Sequence, residues 1–256
     1  MNAHAQDEFD VIVIGGGPPG EIAAQFAVEG GLRAAIIEHE LLGGECSYWA
    51  CMPSKALLRP AEVLHSARQV GGVREAVTGE LDVAAVLARR DRFTHSHDDA
   101  SQVEWAEGVP IDVIRGHGRL DGERIVVVDG ADGSARRLKA RVAVVIATGT
   151  DAAVPPVEGL REARPWTSRD ATNIHEIPKR VAILGGGVVA CEAATWLKAL
   201  GVREVTIVER GERLLGQMEP FAGELVAERF AAVGVDVRLE ASVQAVRRDP
   251  VDEAAV

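Results

Sequence analysis

One strand–turn–helix pattern occurs twice in this chain, and it constrains the fold class more than any other feature. The first copy is Val11-Ile12-Val13-Ile14, then Gly15-Gly16-Gly17-Pro18-Pro19-Gly20, then an Ala-rich helical stretch over residues 21–28. The second is Val181-Ala182-Ile183-Leu184, then Gly185-Gly186-Gly187-Val188-Val189-Ala190, then a helical stretch reaching Leu200. Each is followed by another apolar run, residues 34–37 ending at Glu38 and residues 205–208 ending at Glu209. Short runs of β-branched residues without polar alternation suit strands buried on both faces of a parallel sheet. Glycines at the turn let the backbone reverse tightly and approach a pyrophosphate, which rests on the positive end of the following helix. The acid closing the next strand is placed to accept from ribose hydroxyls. Gly15, Gly17, Pro18, Gly20 and Glu38 are therefore candidates for one dinucleotide site. Gly185, Gly187, Ala190 and Glu209 are candidates for a second. Glu209 would bind a 2′-hydroxyl and repel a 2′-phosphate, which favours NAD; Arg210 and Arg213 nearby keep NADP open. The expected fold is α/β, built from two Rossmann-like dinucleotide-binding domains.

Between the copies lies Gly43-Gly44-Glu45-Cys46-Ser47-Tyr48-Trp49-Ala50-Cys51-Met52-Pro53-Ser54-Lys55, which holds two of the three cysteines. Pro53 suits an early helical position, which places Cys51 at the positive end of a helix dipole, where a thiolate is favoured. Cys46 is near enough in sequence to bridge to it if the intervening residues arch or coil. The pair reads as a dithiol that opens and closes. A structural zinc site, a static disulfide and two inert buried thiols are the competing readings. The zinc site lacks a second Cys/His cluster to reach about four ligands.

Downstream, residues 56–70 read as a helix kinked at Pro60. Residues 81–105 read as a second helical region, interrupted at Thr94-His95-Ser96-His97-Asp98-Asp99. Those histidines and aspartates have no metal-ligand spacing and read as a solvated polar stretch; no metal site is expected. Residues 111–114, 124–128 and 136–145 are expected to form a three-stranded meander separated by Asp-Gly turn signals. The last of these runs into Ala147-Thr148-Gly149. Residues 151–178, rich in Pro and Arg, read as a linker. Residues 221–233 read as a helix and 235–246 as a strand.

The sulfur-bearing stretch, written G-G-x-C-x4-C-x-P-S-K, resembles the redox signature of the pyridine nucleotide-disulfide oxidoreductases, the group holding dihydrolipoamide dehydrogenase, glutathione reductase and mercuric reductase. It departs from that pattern at Glu45, where these enzymes usually carry Thr, and in its bulky Ser47-Tyr48-Trp49-Ala50 insert. The resemblance implies an FAD domain over 1–150 with a β-meander insert, a linker over 151–178 and an NAD(P) domain over 179–256, incomplete at its C-terminus. It implies FAD contacts at Gly43, Gly44, Lys55, Thr148 and Gly149, and a backbone loop at His117-Gly118 against the adenine. Cys51 is implied as the thiol facing the flavin and Cys46 as the interchange thiol. Lys55 is implied to pair with Glu192 near the flavin.

By the same resemblance the chain corresponds to the N-terminal half of such enzymes. They are homodimers whose further domain carries a His-Glu pair, and no HPxxxE-like segment occurs here. The expected activity is electron transfer between NAD(P)H and a Cys46–Cys51 disulfide, with a small-molecule or disulfide substrate and a chain that looks truncated. A non-catalytic FAD/NAD-binding remnant is the competing reading. A thioredoxin-reductase-like arrangement is disfavoured because its cysteines lie in the second dinucleotide domain. A metal-handling dithiol protein is a third reading.

Charge and hydropathy narrow the partners. A net charge of −11, from 28 basic and 39 acidic residues, argues against nucleic acid or an anionic membrane. The first ten residues lack the basic and apolar regions of a secretory signal, and no apolar run is long enough to span a bilayer. The expected compartment is the cytoplasm, where a dithiol is catalytic more often than structural.

Overall fold

In the computed structural model, which describes residues 7–248, the opening apolar run is strand β1 (Glu8–Ile14) and the first glycine turn leads into helix α1 (Pro18–Glu29). Strand β2 (Ala34–Glu38) is buried at every position and runs parallel to β1. The chain then passes through α2 (Gly44–Tyr48), α3 (Cys51–Gln69), α4 (Val83–Phe93) and α5 (Ala100–Gly108) to β3 (Asp112–Arg115). Pro60 lies inside α3 without ending it, and α3 starts earlier than residue 56, at Cys51 itself. Strands β4 (His117–Leu120), β5 (Ile125–Asp129) and β6 (Ala135–Ile146) complete a six-stranded sheet in the order β3-β2-β1-β6-β5-β4.

The meander expected from 111–114, 124–128 and 136–145 is corrected in its first member. Residues 112–115 pair parallel with β2 at the edge of the sheet, because a helix precedes them and a helical crossover delivers a parallel strand. The meander's first strand is β4, antiparallel to β5. Gly116, at φ +144°, bends the chain between β3 and β4, and a side chain there would lie 2.7 Å from the Asp129 carbonyl. Strand β6 serves two partnerships. It pairs antiparallel with β5 up to Lys139 and parallel with β1 from Lys139 to Ile146.

The two faces of this sheet are sorted by the alternation of β1. Ile12 and Ile14 pack with Ile37, Val126, Val128 and Leu138, while Val11 and Val13 pack with Ala24, Ile36, Leu42 and Ala106. Phe9 breaks the odd–even rule and joins Ile12 and Ile14. The register shifts between Phe9 and Val11, and an irregularity of this kind re-aims the residues before it.

The second copy gives β7 (Arg180–Leu184), α7 (Val188–Ala199), β8 (Glu204–Val208), α8 (Pro220–Val233) and β9 (Val235–Arg238), with the three strands parallel in the order β7-β8-β9. The expected strand over 235–246 stops at Arg238. The backbone turns at Glu240 (φ +51°), and only Ala245 forms a further bridge, with Glu158. Residues 151–178 hold a short helix, α6 (Ser168–Thr172), closed by a Thr167–Asp170 capping box.

The chain divides into two compact units, one of Met1–Met52 with Phe93–Asp151 and one of Pro53–Arg92 with Ala152–Val256. The core of the second gathers Leu57 and Val86 with Trp196, Leu197, Ile207 and Phe230. In it Arg90, 1% exposed, donates to the carbonyls of Thr172 and Ile174. The readings made on the first residues and the last, 1–6 and 249–256, lie outside the described residues.

Candidate functional site

The first glycine turn is built by close backbone contact. Gly15 has φ +102°, and a Cβ there would lie 2.2 Å from the Ala147 carbonyl; one at Gly20 would lie 2.0 Å from the Gly15 carbonyl. Only glycine fits either place. Thr148 and Gly149 follow Ala147 and so adjoin the turn. Gly43 (φ +111°) donates its N–H to the Gly16 carbonyl at 2.7 Å, and a Cβ on Gly44 (φ +57°) would lie 2.7 Å from Gly17 Cα. The start of α2 is thus seated on the start of α1.

Gly17 caps α1 in an extended conformation without a side-chain hydrogen bond, and a Cβ on it would meet nothing closer than Gly44 Cα at 3.9 Å. That leaves the backbone at the positive helix end uncrowded by side chains, as close approach of a phosphate requires. Pro18 and Pro19 carry no N–H, so Gly17 supplies the amide there.

Glu38 is buried, and its two oxygens accept from the N–H groups of Gly16 and Glu40, both at 2.7 Å. A carboxylate has room for about four such bonds, so two acceptor positions remain for hydroxyl donors. His117 and Gly118 lie on strand β4, not in a loop as expected. A Cβ on Gly118 would come within 3.0 Å of Ile14 and 3.1 Å of Ile37, so both residues stand at the carboxyl ends of β1 and β2, beside the glycine turn. The His117 ring meets that of His39 edge-on at 5.6 Å.

The sulfur pair sits on the two helices that follow. Cys46 is in the five-residue α2 and Cys51 opens α3; both are free thiols, Cys46 half-buried and Cys51 exposed. Ala50 and Trp49 donate to the Glu45 carbonyl at 2.6 and 2.8 Å, which coils the chain between them. Cys46 is hydrogen-bonded to Cys51. Burial first, then that bond and the charges of Cys51 and Glu21, push its thiol up to about 11.

The bulky insert is an internal packing piece. Tyr48 is 2% exposed and donates to the Leu42 carbonyl at 2.9 Å, while Trp49 lies against Tyr48 (5.7 Å) and His97 (5.6 Å). Asp99 accepts from Leu42 N–H and Arg115. Among the described residues no group of three or more His, Cys, Asp or Glu could hold a metal ion, and no helix is long and apolar enough to cross a membrane.

In the second unit Lys55 donates to Glu192 Oε1 at 2.6 Å. The second glycine turn repeats the first: Gly185 has φ +103°, and Glu209 accepts from Gly186 N–H at 2.5 Å and Gly211 N–H at 2.6 Å. Ala190 lies in the first turn of α7. Gly187, the N-cap, has no atom within 4 Å of a Cβ position. Beside it is a cavity of about 470 Å³, lined among others by Gly186, Gly187, Glu209 and Arg213. Cys191 is buried on α7, and burial, then Glu192, pushes its thiol up to about 11.

One residue near the dithiol escaped the sequence reading. Glu21, in the first turn of α1, has a buried Oε1 without a hydrogen-bond partner, and desolvation pushes its carboxyl up to about 7. The sequence carried no signal for it, since an acid in the first turn of a helix is the favoured placement.

A family model described as pyridine nucleotide-disulphide oxidoreductase matches residues 9–256. The mercuric reductase of Shigella flexneri is 37% identical over 232 residues, 89% of this chain and 40% of its own length. The dihydrolipoyl dehydrogenase of Acholeplasma laidlawii is 31% identical over 245 residues, 93% of this chain and 70% of its own length. A solved structure, the Cu(II) complex of the HOCl-induced flavoprotein disulfide reductase RclA from Escherichia coli, is similar with a TM-score of 0.81. It is 24% identical, and the match covers 98% of this chain and 52% of that one; at that identity the likeness speaks to the fold. The chain thus spans between 40% and 70% of the length of these relatives.

Proposed function

This chain belongs to the pyridine nucleotide-disulphide oxidoreductase family, and from that premise we propose that it carries an electron pair between a nicotinamide dinucleotide, FAD and the Cys46–Cys51 pair. The observation that carries the reading is the hydrogen bond between these two thiols, the first of them on a helix whose start is seated on the first glycine turn. FAD, when bound, would supply the hydride chemistry that no side chain has.

The residues divide the remaining work. In the FAD domain, proposed over 1–150, Gly15, Gly17, Pro18, Gly20, Gly43 and Gly44 admit the pyrophosphate. Glu38 takes ribose hydroxyls, His117 and Gly118 border the adenine, and Thr148 and Gly149 close the far side of the turn. Cys51, exposed at a helix start, is the sulfur that faces the flavin. Cys46 holds its proton until it meets a disulfide or another small oxidised substrate. Lys55, oriented by Glu192, tunes the flavin electronics.

After a linker over 151–178, the domain over 179–256 takes NAD through Gly185, Gly187, Ala190 and Glu209. The Nη2 of Arg213 is committed to the carbonyls of Gly216 and Met218, which supports NAD over NADP. A reducing cytoplasm is the compartment such a dithiol suits.

The test is spectroscopic. FAD-reconstituted protein reduced anaerobically with NADH should develop a long-wavelength thiolate-to-flavin absorption band. Cys51→Ser should abolish that band and Cys46→Ser should keep it. Reduction without the band, and with no change in titratable thiols, would overturn the proposal.

A further inference from the structure

The two glycine turns are built alike and closed differently. In each, the acid that ends the next strand accepts two backbone amides. A leucine methyl then lies against the middle glycine, with Leu42 2.7 Å and Leu214 2.8 Å from where a Cβ would stand on Gly16 and Gly186. The residue after that leucine donates to the same glycine's carbonyl, Gly43 to Gly16 at 2.7 Å and Leu215 to Gly186 at 2.8 Å. Beyond that point the copies part. In the first, Gly44 comes down on Gly17 and α2 begins there. In the second, no atom stands within 4 Å of a Cβ on Gly187, and beside it lies the cavity of about 470 Å³.

One wall of that cavity, Gly216, Gln217 and Met218, has no core to rest on. Residues 216–221 are exposed at every position, so apolar burial does not fix them. The wall is gripped instead by one side chain. Arg213 Nη2 donates to the carbonyls of Gly216 and Met218 at 2.9 and 3.3 Å, while Met218 N–H closes a turn onto the Leu215 carbonyl at 2.7 Å. Arg213 Nε is buried without a hydrogen-bond partner, so the guanidinium is turned into the loop rather than out to water. Its planar fork holds its donors at fixed angles, which suits it to set two carbonyls in place. The next residue, Leu214, is 0% exposed and anchors the backbone from which Arg213 reaches.

We infer that Arg213 is a positioning residue for the nicotinamide dinucleotide: through Gly216 and Met218 it holds the wall of the cavity beside Gly187 in place for the ligand. The inference rests on the proposed NAD role of the second glycine turn. A wall already in place costs nothing to order when the dinucleotide arrives, whereas a loose one must be ordered at that moment and affinity falls. The other charged groups on the cavity, Glu209 and Glu212, are acidic and oppose a 2′-phosphate.

The test is dinucleotide binding to the full chain, read by titration calorimetry with NADH and with NADPH. Arg213→Met keeps the stem and removes the donors, and the Kd for NADH should rise roughly tenfold. Amide exchange over 214–219 in ligand-free protein should speed up while β7 and β8 stay as they were. Arg213→Lys, a point charge in place of a planar fork, should recover part of both effects. Arg213→Ala takes the place of methionine if that variant melts early.

An NADH Kd within about twofold of the unsubstituted chain would overturn the role of Arg213 and leave the NAD reading standing. Weaker binding with unchanged exchange, or a loss greater for NADPH than for NADH, would mark Arg213 as a direct ligand and overturn the positioning role as well. If the unsubstituted chain binds neither dinucleotide, the reading of the second turn falls and Arg213 with it.

Discussion

Glu38 and Glu21 stand at the two ends of the same first unit segment, and the difference between them is supply of donors. Glu38 terminates β2, where two backbone amides converge on it. Glu21 has an oxygen that meets none, and its folded pKa of about 7 stands above the unfolded value of 4.5. A raised carboxyl pKa contributes stability that is fully present below the unfolded value and lost as pH rises through the folded one. The melting temperature should therefore fall between about pH 4.5 and about pH 7.5. Glu21→Gln should flatten that fall and melt roughly a few degrees higher at about pH 8. A calorimetric scan of both proteins across that range checks it; equal slopes would count against the buried charge. Glu38 was legible in the sequence because its spacing from the glycines is fixed by strand and helix lengths. Glu21 was not, because an acid in the first turn of a helix is commonplace and its desolvation is set by the fold around it, which no local pattern announces.

At the scale of elements, type was readable and partnership was not. The apolar runs gave β1, β2, β7 and β8 as expected, but residues 112–115 were assigned to the wrong neighbour. Strand period says which face is buried and nothing of which edge is shared. β4 was missed for a related reason: His117-Gly118-Arg119-Leu120 has little β-branched character and is a strand because β5 pairs with it. The stretch read as a linker conceals α6, whose signal was the Thr167-x-x-Asp170 spacing. Thr167 N–H and Oγ1 both bond to Asp170 Oδ2, at 2.7 and 2.9 Å. Asp170→Ala should cost about 1 kcal/mol, read as faster amide exchange over 168–172 with little change elsewhere. Helix α7 is the opposite case, because Trp196 is 1% exposed at the centre of its core. Trp196→Ala should cost about 3–5 kcal/mol in denaturant unfolding, and a cost under about 1 kcal/mol would show that the core is packed otherwise.

The whole molecule is partitioned across the chain rather than along it. Residues 53–92 belong with 152–248, and residues 93–151 with the opening segment. A fragment ending at residue 151 would therefore keep every strand of the six-stranded sheet while depriving Leu57 and Val86 of Trp196 and its neighbours. That fragment should be cleaved by protease within 53–92 and bind a hydrophobic dye, whereas the full chain resists both; equal resistance would contradict the partition. The same partition sets a timetable for biosynthesis. A ribosome adds about 5–20 residues each second and domains usually settle as they emerge. Here α3 and α4 leave the exit tunnel long before the apolar partners that cover them have been translated. For those seconds their greasy stripes are bare, so a nascent-chain holdase has more to do for this protein than for one whose lobes are each encoded in a single run.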